Sequence, residues 1–376
     1  MRVSRNRNCF AKIKSVFSLL VLTGAFTLVS LPLSAAHAED QSSSRLTQVD
    51  RATVDKIVGE YSPRPRLAAL QMISKYGVPQ EASPHTLVWH NAGPYKRIMV
   101  TRMEIPHDFP KPHMDYLEHT VEYNVPADKT DDLVAYDGSV TVNRTAGELS
   151  ARCDLEGHNI LTLNLAHDIV TGKKNSQEAR KAFGEIVVED MMGKRPAYVE
   201  SLQFSPSDHA GPFPDEPVIP GSSRRAKSGE AGNDAEKLGL LGAINENEIL
   251  AAAEAGKKKI KPEVLEFSKM MHKEHGMNLD QTLKLGQKIG TTPLETEAVE
   301  KLRVKGAEEL AILVPLDGDE FGTAYAAAMV KAHTEALGML DNQLMKDVQN
   351  EELKAHLMKT REHIARHLEE ASGLDQ

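Results

Sequence analysis

Cysteine is scarce, with two in 376 residues, Cys9 and Cys153. That excludes a disulfide-framed fold, so stability must come from packing. Aromatic residues make up only 5% of the chain, and Trp89 is the single tryptophan. Positive charge is in deficit, 45 Lys+Arg against 54 Asp+Glu, and a net charge of −9 argues against nucleic acid as the main partner. One long apolar run exists, roughly Val16 to Leu33. Beyond it nothing approaches the ~20 apolar residues that would span a bilayer. With 40% hydrophobic and 26% charged residues, the chain has material for two domains and is neither disordered throughout nor an integral membrane protein.

The apolar run follows Arg2, Arg5, Arg7, Lys12 and Lys14 and ends at Ser34-Ala-Ala-His-Ala38. A basic segment, an apolar segment and small residues at −3 and −1 describe a secretory signal peptide over 1–38, and so a periplasmic location. No lipobox cysteine follows, and no stable membrane insertion is expected after cleavage. Cleavage would remove those five positive charges and no negative one, taking the chain from −9 to −14. Cys153 would be the remaining thiol, read as a small apolar strand residue.

Residues 205–233 concentrate proline, glycine, serine and charge without an apolar period, and read as a disordered linker. Before it, residues 54–204 predict an α+β domain with an antiparallel sheet. A helix over Val54–Tyr76, broken at Ser62-Pro-Arg-Pro65, precedes strand-like runs at Thr86–His90, Arg97–Glu104, Glu118–Val125, Ser139–Asn143 and Glu148–Asp154. Helices follow at Asn159–Thr171 and Ser176–Met192, the second with an N-cap expected at Ser176. A histidine-dense stretch in this half, His107, His113, Asp115, Glu118 and His119, contains two prolines. It reads as a stiff exposed loop or, alternatively, as a metal or substrate loop. No G-x-S-x-G nucleophile elbow accompanies it.

After the linker, residues 234–376 carry five helical segments: Ala235–Gly256, Pro262–Ile289, Leu294–Leu313, Asp319–Lys346 and Glu351–Ala371. The third is expected to act as a crossover between the staves of a four-helix bundle. Polar residues interrupt the apolar stripes. His272 and His275 lie one turn apart, and Tyr325, Met329, His333 and Leu337 share a face, as do His356, His363 and His367. Imidazoles on separate helices, joined by Glu248, suit one transition-metal ion such as zinc, copper or iron. Met271 and Met329 would favour copper if they point inward. His356 and His367 read as members of solvated faces.

Four local patterns carry a family resemblance over Asp234 to Glu370. They are Asn247-Glu-Ile249; Pro262-Glu-Val-x-x-Phe267-x-x-x-Met271-x-x-x-His275; Phe321-x-x-x-Tyr325-x-x-x-Met329-x-x-x-His333; and Glu351-Glu-Leu353-Lys-Ala355 leading to Arg361-Glu-His363. In this order they resemble the bacterial secreted domain of unknown function 4142, a ferritin-like helical bundle. The resemblance implies Glu248, His275, His333 and His363 as the positions to carry over. Glu274 departs from it, since an aspartate usually precedes the histidine of the second helix. A di-iron centre is not expected, because no Glu-x-x-His occurs in residues 234–376.

The sequence therefore predicts a periplasmic, envelope- or stress-associated binding protein rather than a classical enzyme. Its bundle would hold one metal through Glu248, His272, His275, His333 and His363. The alternatives are a metal-free interaction module docking an envelope protein, or a hydrolase or lyase site in the His107–His119 stretch.

Overall fold

The computed structural model describes residues 49–211, 215–231 and 233–374, and the expected signal peptide lies outside them. The chain divides into two compact units. Of the described residues, one comprises 49–142 together with Glu148–Ala210, the other Asn143–Gly147 with those from Gly211 on.

The first unit is α+β. Helices α1 (Arg51–Gly59) and α2 (Pro63–Tyr76) flank the proline break. Asp50 caps α1 by accepting from Thr53 N, and Pro63 opens α2, where a missing N–H costs nothing. Four strands follow, β1 (Glu81–Ala82), β2 (Thr86–Ala92), β3 (Tyr95–His107) and β4 (His113–Glu122), then a short helix α3 (Thr130–Tyr136). Strands β5 (Thr141–Asn143) and β6 (Glu148–Cys153) complete a sheet of order β1-β2-β3-β4-β6-β5. The pairs β1–β2, β2–β3, β3–β4 and β4–β6 are antiparallel. Helix α4 (Glu156–Val170) packs on the sheet and is buried continuously from Asn159 to Ile169, as a helix covered on every side must be. Helices α5 (Ser176–Met191) and α6 (Ala197–Glu200) cover it. The cap of α5 is Asn175, one residue earlier than the sequence suggested, in a capping box with Glu178.

The stretch read as a stiff loop is a strand hairpin. His107 ends β3 and His113–His119 lie in β4, with His107 opposite His113. The prolines sit at 106, 110 and 112, at the strand end and in the connection, where no ladder hydrogen bond is lost.

The second unit is an all-α helical bundle. A two-residue strand β7 (Arg224–Arg225), inside the segment expected to be a disordered linker, precedes α7 (Asp234–Ala255) and α8 (Pro262–Lys288). Strand β8 (Leu294–Glu295) pairs with β7 in parallel and leads into α9 (Glu297–Leu313). Then α10 (Gly318–Met339) runs on through a π turn at Leu340–Leu344 as one long joined crossover helix, and α11 (Glu351–Leu374) closes the bundle. The four staves are α7, α8, α11 and α10, each packed on the next. The third segment, expected to cross over, instead lies along the outside of α7, with Asn247 donating to Leu302 O and Thr296 to Glu236.

The bundle interior is layered. An apolar cluster containing Leu238, Leu241, Leu340, Leu353 and Leu357 fills one end. Another, containing Phe267, Met271, Phe321, Tyr325 and Met329, fills the other. Between them lies a buried polar belt: Asn245, Glu248, His275, Asn278, His333, Thr360 and His367. Met271 and Met329 thus belong to an apolar layer. Among the described residues no helix is long and apolar enough to cross a membrane.

Candidate metal centre

Three imidazoles meet in the polar belt, one from each of three staves. His275 on α8, His333 on α10 and His367 on α11 are 3%, 1% and 1% exposed. Their ring centroids are 5.1 to 5.5 Å apart. One nitrogen from each lies within 4.8 Å of the other two. Nitrogens bound tetrahedrally to one ion at ~2.1 Å would be about 3.4 Å apart, a separation inside that limit.

The other nitrogen of each ring fixes which one is free. His333 Nδ1 lies 2.8 Å from the carbonyl of Met329, so it must be the N–H. His275 Nδ1 lies 3.0 Å from Asn245 Oδ1. That amide is oriented by its own nitrogen, which donates to the Leu241 carbonyl and to Asn278 Oδ1, so His275 Nδ1 is also a donor. His367 Nε2 donates to Glu274 Oε2 at 2.9 Å. Burial opposes ionisation of Glu274, but the hydrogen bond from His367 and the charge of Arg366 hold its carboxyl below the usual range, so it accepts as a carboxylate.

The three remaining atoms, His275 Nε2, His333 Nε2 and His367 Nδ1, are buried with no hydrogen-bond partner among the described residues. Burial keeps the rings neutral. It pushes His333 down to about 4, lowers His275 well below 6.5 with help from its imidazole neighbours, and lowers His367. Three lone pairs therefore face one another. Each unmet buried polar group costs ~1–3 kcal/mol. A water molecule has two protons to offer and leaves one nitrogen unmet, whereas a cation satisfies all three. A backbone carbonyl, an amide and a carboxylate behind the rings form the outer shell that orients histidine ligands in metal sites.

Of the residues singled out from sequence, the structure brings His275 and His333 together. Glu248 is buried beside them but outside the triangle, its Oε1 3.9 Å from His333 Nδ1, the side away from the free nitrogen. Burial, and then the charge of Glu309, push its carboxyl up to about 8, so it is a neutral acid at pH 7. It lines a small cleft between α7, α9 and α10, of about 90 Å³. His272 is exposed on the outer face of α8. His363 faces an outer groove with Lys273, Glu274 and Arg366. His367, read as a solvated-face residue, takes the place expected for His363. The signal was spacing. Leu353, Leu357, Thr360, Ile364, His367 and Ala371 are buried at steps of four and three, the period of a bundle seam, and His363 is off it. His356 sits further along, with its Nε2 2.9 Å from Thr282 Oγ1.

Residues 220–374 match the family model described as Domain of unknown function (DUF4142). No curated protein and no solved structure matches the chain. The DUF4142 match begins ahead of α7 and takes in β7, which pairs with β8 inside the bundle unit. All three clustered histidines, and the Asn245 and Glu274 that orient two of them, lie within the DUF4142 region. Residues before it remain unassigned to a family.

Proposed function

We propose that this chain is an exported metal-holding protein whose DUF4142 bundle binds one transition-metal ion through His275 Nε2, His333 Nε2 and His367 Nδ1. The carrying observation is three buried, neutral, unpartnered imidazole nitrogens facing one another, each ring oriented by a hydrogen bond from its other nitrogen. An all-nitrogen set of this kind suits zinc, copper or iron. Three protein ligands leave a fourth position open. The basic, apolar and small-residue order of residues 1–38 supports export.

Deep burial favours a resident ion over a shuttled one, because release requires the staves to part. The test is to purify the mature chain without a histidine tag, load it with zinc, dialyse and count ions per chain. His333→Ala and His275→Gln are each expected to lose one equivalent relative to wild type, while His363→Ala loses none, with far-ultraviolet circular dichroism checking the fold. Equal counts in wild type and both cluster variants would refute the reading and leave a metal-free interaction module.

A further inference from the structure

A second constellation lies in the first unit, on one face of its sheet. Side chains alternate along a strand, so His113 and Asp115 on β4 share a face, and so does Leu117. His107 is directly opposite His113, and Cys153 on β6 is directly opposite Leu117. Strand parity alone therefore delivers two imidazoles, a carboxylate and a thiol to the same patch.

The atoms are close. His107 Nδ1 is 3.2 Å from Asp115 Oδ2, and His113 Nε2 is 3.1 Å from Asp115 Oδ1. His113 Nε2 is also 3.2 Å from Cys153 Sγ. As in the bundle, the far nitrogens are occupied from behind. His113 Nδ1 donates to the Lys111 carbonyl at 2.8 Å, and His107 Nε2 faces Asp137 Oδ1 at 3.5 Å. Asp137 is itself fixed by Ser139 N and Ser139 Oγ, both at 2.8 Å. Asp115 is 4% exposed.

Despite the short separations, His107 Nδ1 and Asp115 Oδ1 have no aligned hydrogen-bond partner among the described residues. A ring nitrogen and a carboxylate oxygen that approach to 3.1–3.2 Å without aligning a proton point at a common third centre. Ligands bound at 2.0–2.2 Å to one ion are separated by about this much.

We infer that His107 Nδ1, His113 Nε2 and Asp115 form a second, independent site for a divalent first-row cation such as zinc, with Cys153 Sγ adjoining as a fourth donor. As a free thiol Cys153 is inert, since burial and the neighbouring Asp154 push it well above its usual value. On a bound cation it would coordinate as thiolate and release its proton to solvent. This assignment does not rest on the bundle site.

The experiment titrates the full mature chain carrying His333→Ala with Co²⁺, followed by absorption and by metal counting after dialysis. One equivalent is expected to remain. Adding Asp115→Asn or His113→Gln is expected to abolish it. Adding Cys153→Ser should keep the stoichiometry, weaken binding at least tenfold and remove any thiolate-to-cobalt charge-transfer band. If the His333→Ala chain holds no cobalt, the cluster is a proton-bridged ion pair and the inference fails. Equal retention in the folded Asp115→Asn and His113→Gln forms also overturns it. If the bundle reading alone is wrong, wild type and His333→Ala hold the same single equivalent, and Asp115→Asn removes it from both.

Discussion

At the scale of the residue, the bundle site is decided by what stands behind each imidazole. Glu274 is the clearest case. It is the position at which the resemblance to DUF4142 leads one to expect an aspartate, and the longer glutamate side chain reaches His367 Nε2 on the neighbouring stave. Glu274→Ala should leave all three ligands in place, so one ion per chain is still bound, but affinity should fall about 10–100-fold, as expected when an outer-shell partner is removed. Glu274→Gln, which can still accept from Nε2–H without the charge, should fall less. Competition with a chelator measures both, and an unchanged affinity in Glu274→Ala would mean that the carboxylate does not orient the ring. The choice of His367 over His363 was legible only in part. Both lie among charged neighbours on α11, and one helical turn separates them. Seam spacing picks His367, but the level at which it meets His275 and His333 depends on how the loops set the heights of the staves, and no single helix encodes that.

At the scale of the element, the sequence is most readable where an apolar period runs long. The five bundle helices begin and end close to their expected positions because caps and breakers bound them: Asn233, Pro262, Gly290, Thr296 and Asp317. The short α3 leaves no signal in the sequence because its seven residues hold two acidic ones and bury only Leu133 and Tyr136, too little for a period to register. The histidine hairpin reads as a loop in the sequence because its prolines mark a turn while the strands on either side lack alternation. The outer placement of α9 was also invisible, since it depends on a close approach across α7. Gly239 makes that approach, and a Cβ there would lie 2.1 Å from the Leu294 carbonyl oxygen. Helix propensity alone would have alanine stabilise α7 by ~1 kcal/mol. The backbone clash should prevail, so Gly239→Ala is expected to destabilise the protein by about 1–3 kcal/mol. Gly276→Ala, in α8 with open space around it, should stabilise by up to ~1 kcal/mol. Urea denaturation of the two variants checks the contrast, and equal signs would contradict the close packing of β8 on α7.

At the scale of the whole molecule, the polar belt couples the stability of the metal-free protein to pH in two opposite senses. Glu248 has its folded-state value raised to about 8 from an ordinary 4.5. Between those values the native state holds a proton that the unfolded chain has lost, so stability rises as pH falls from 8, by up to ~1.4 kcal/mol per pH unit. The three imidazoles are shifted the other way, His333 to about 4 from 6.5. Below pH 6.5 the unfolded chain takes up protons that the buried rings refuse. Stability is then lost down to the folded values, at up to three times that slope less the single proton of Glu248. The two senses cross near pH 6.5, where the belt contributes most. Glu248→Gln removes only the alkaline limb, so its advantage over wild type should grow from pH 5 to pH 8 and level off above it. Urea denaturation of metal-stripped wild type and variant across pH 4–9 isolates this difference, because every other titrating group is common to both. A constant offset across that range would place an ionised Glu248 in the folded core and remove the neutral acid from beside His333.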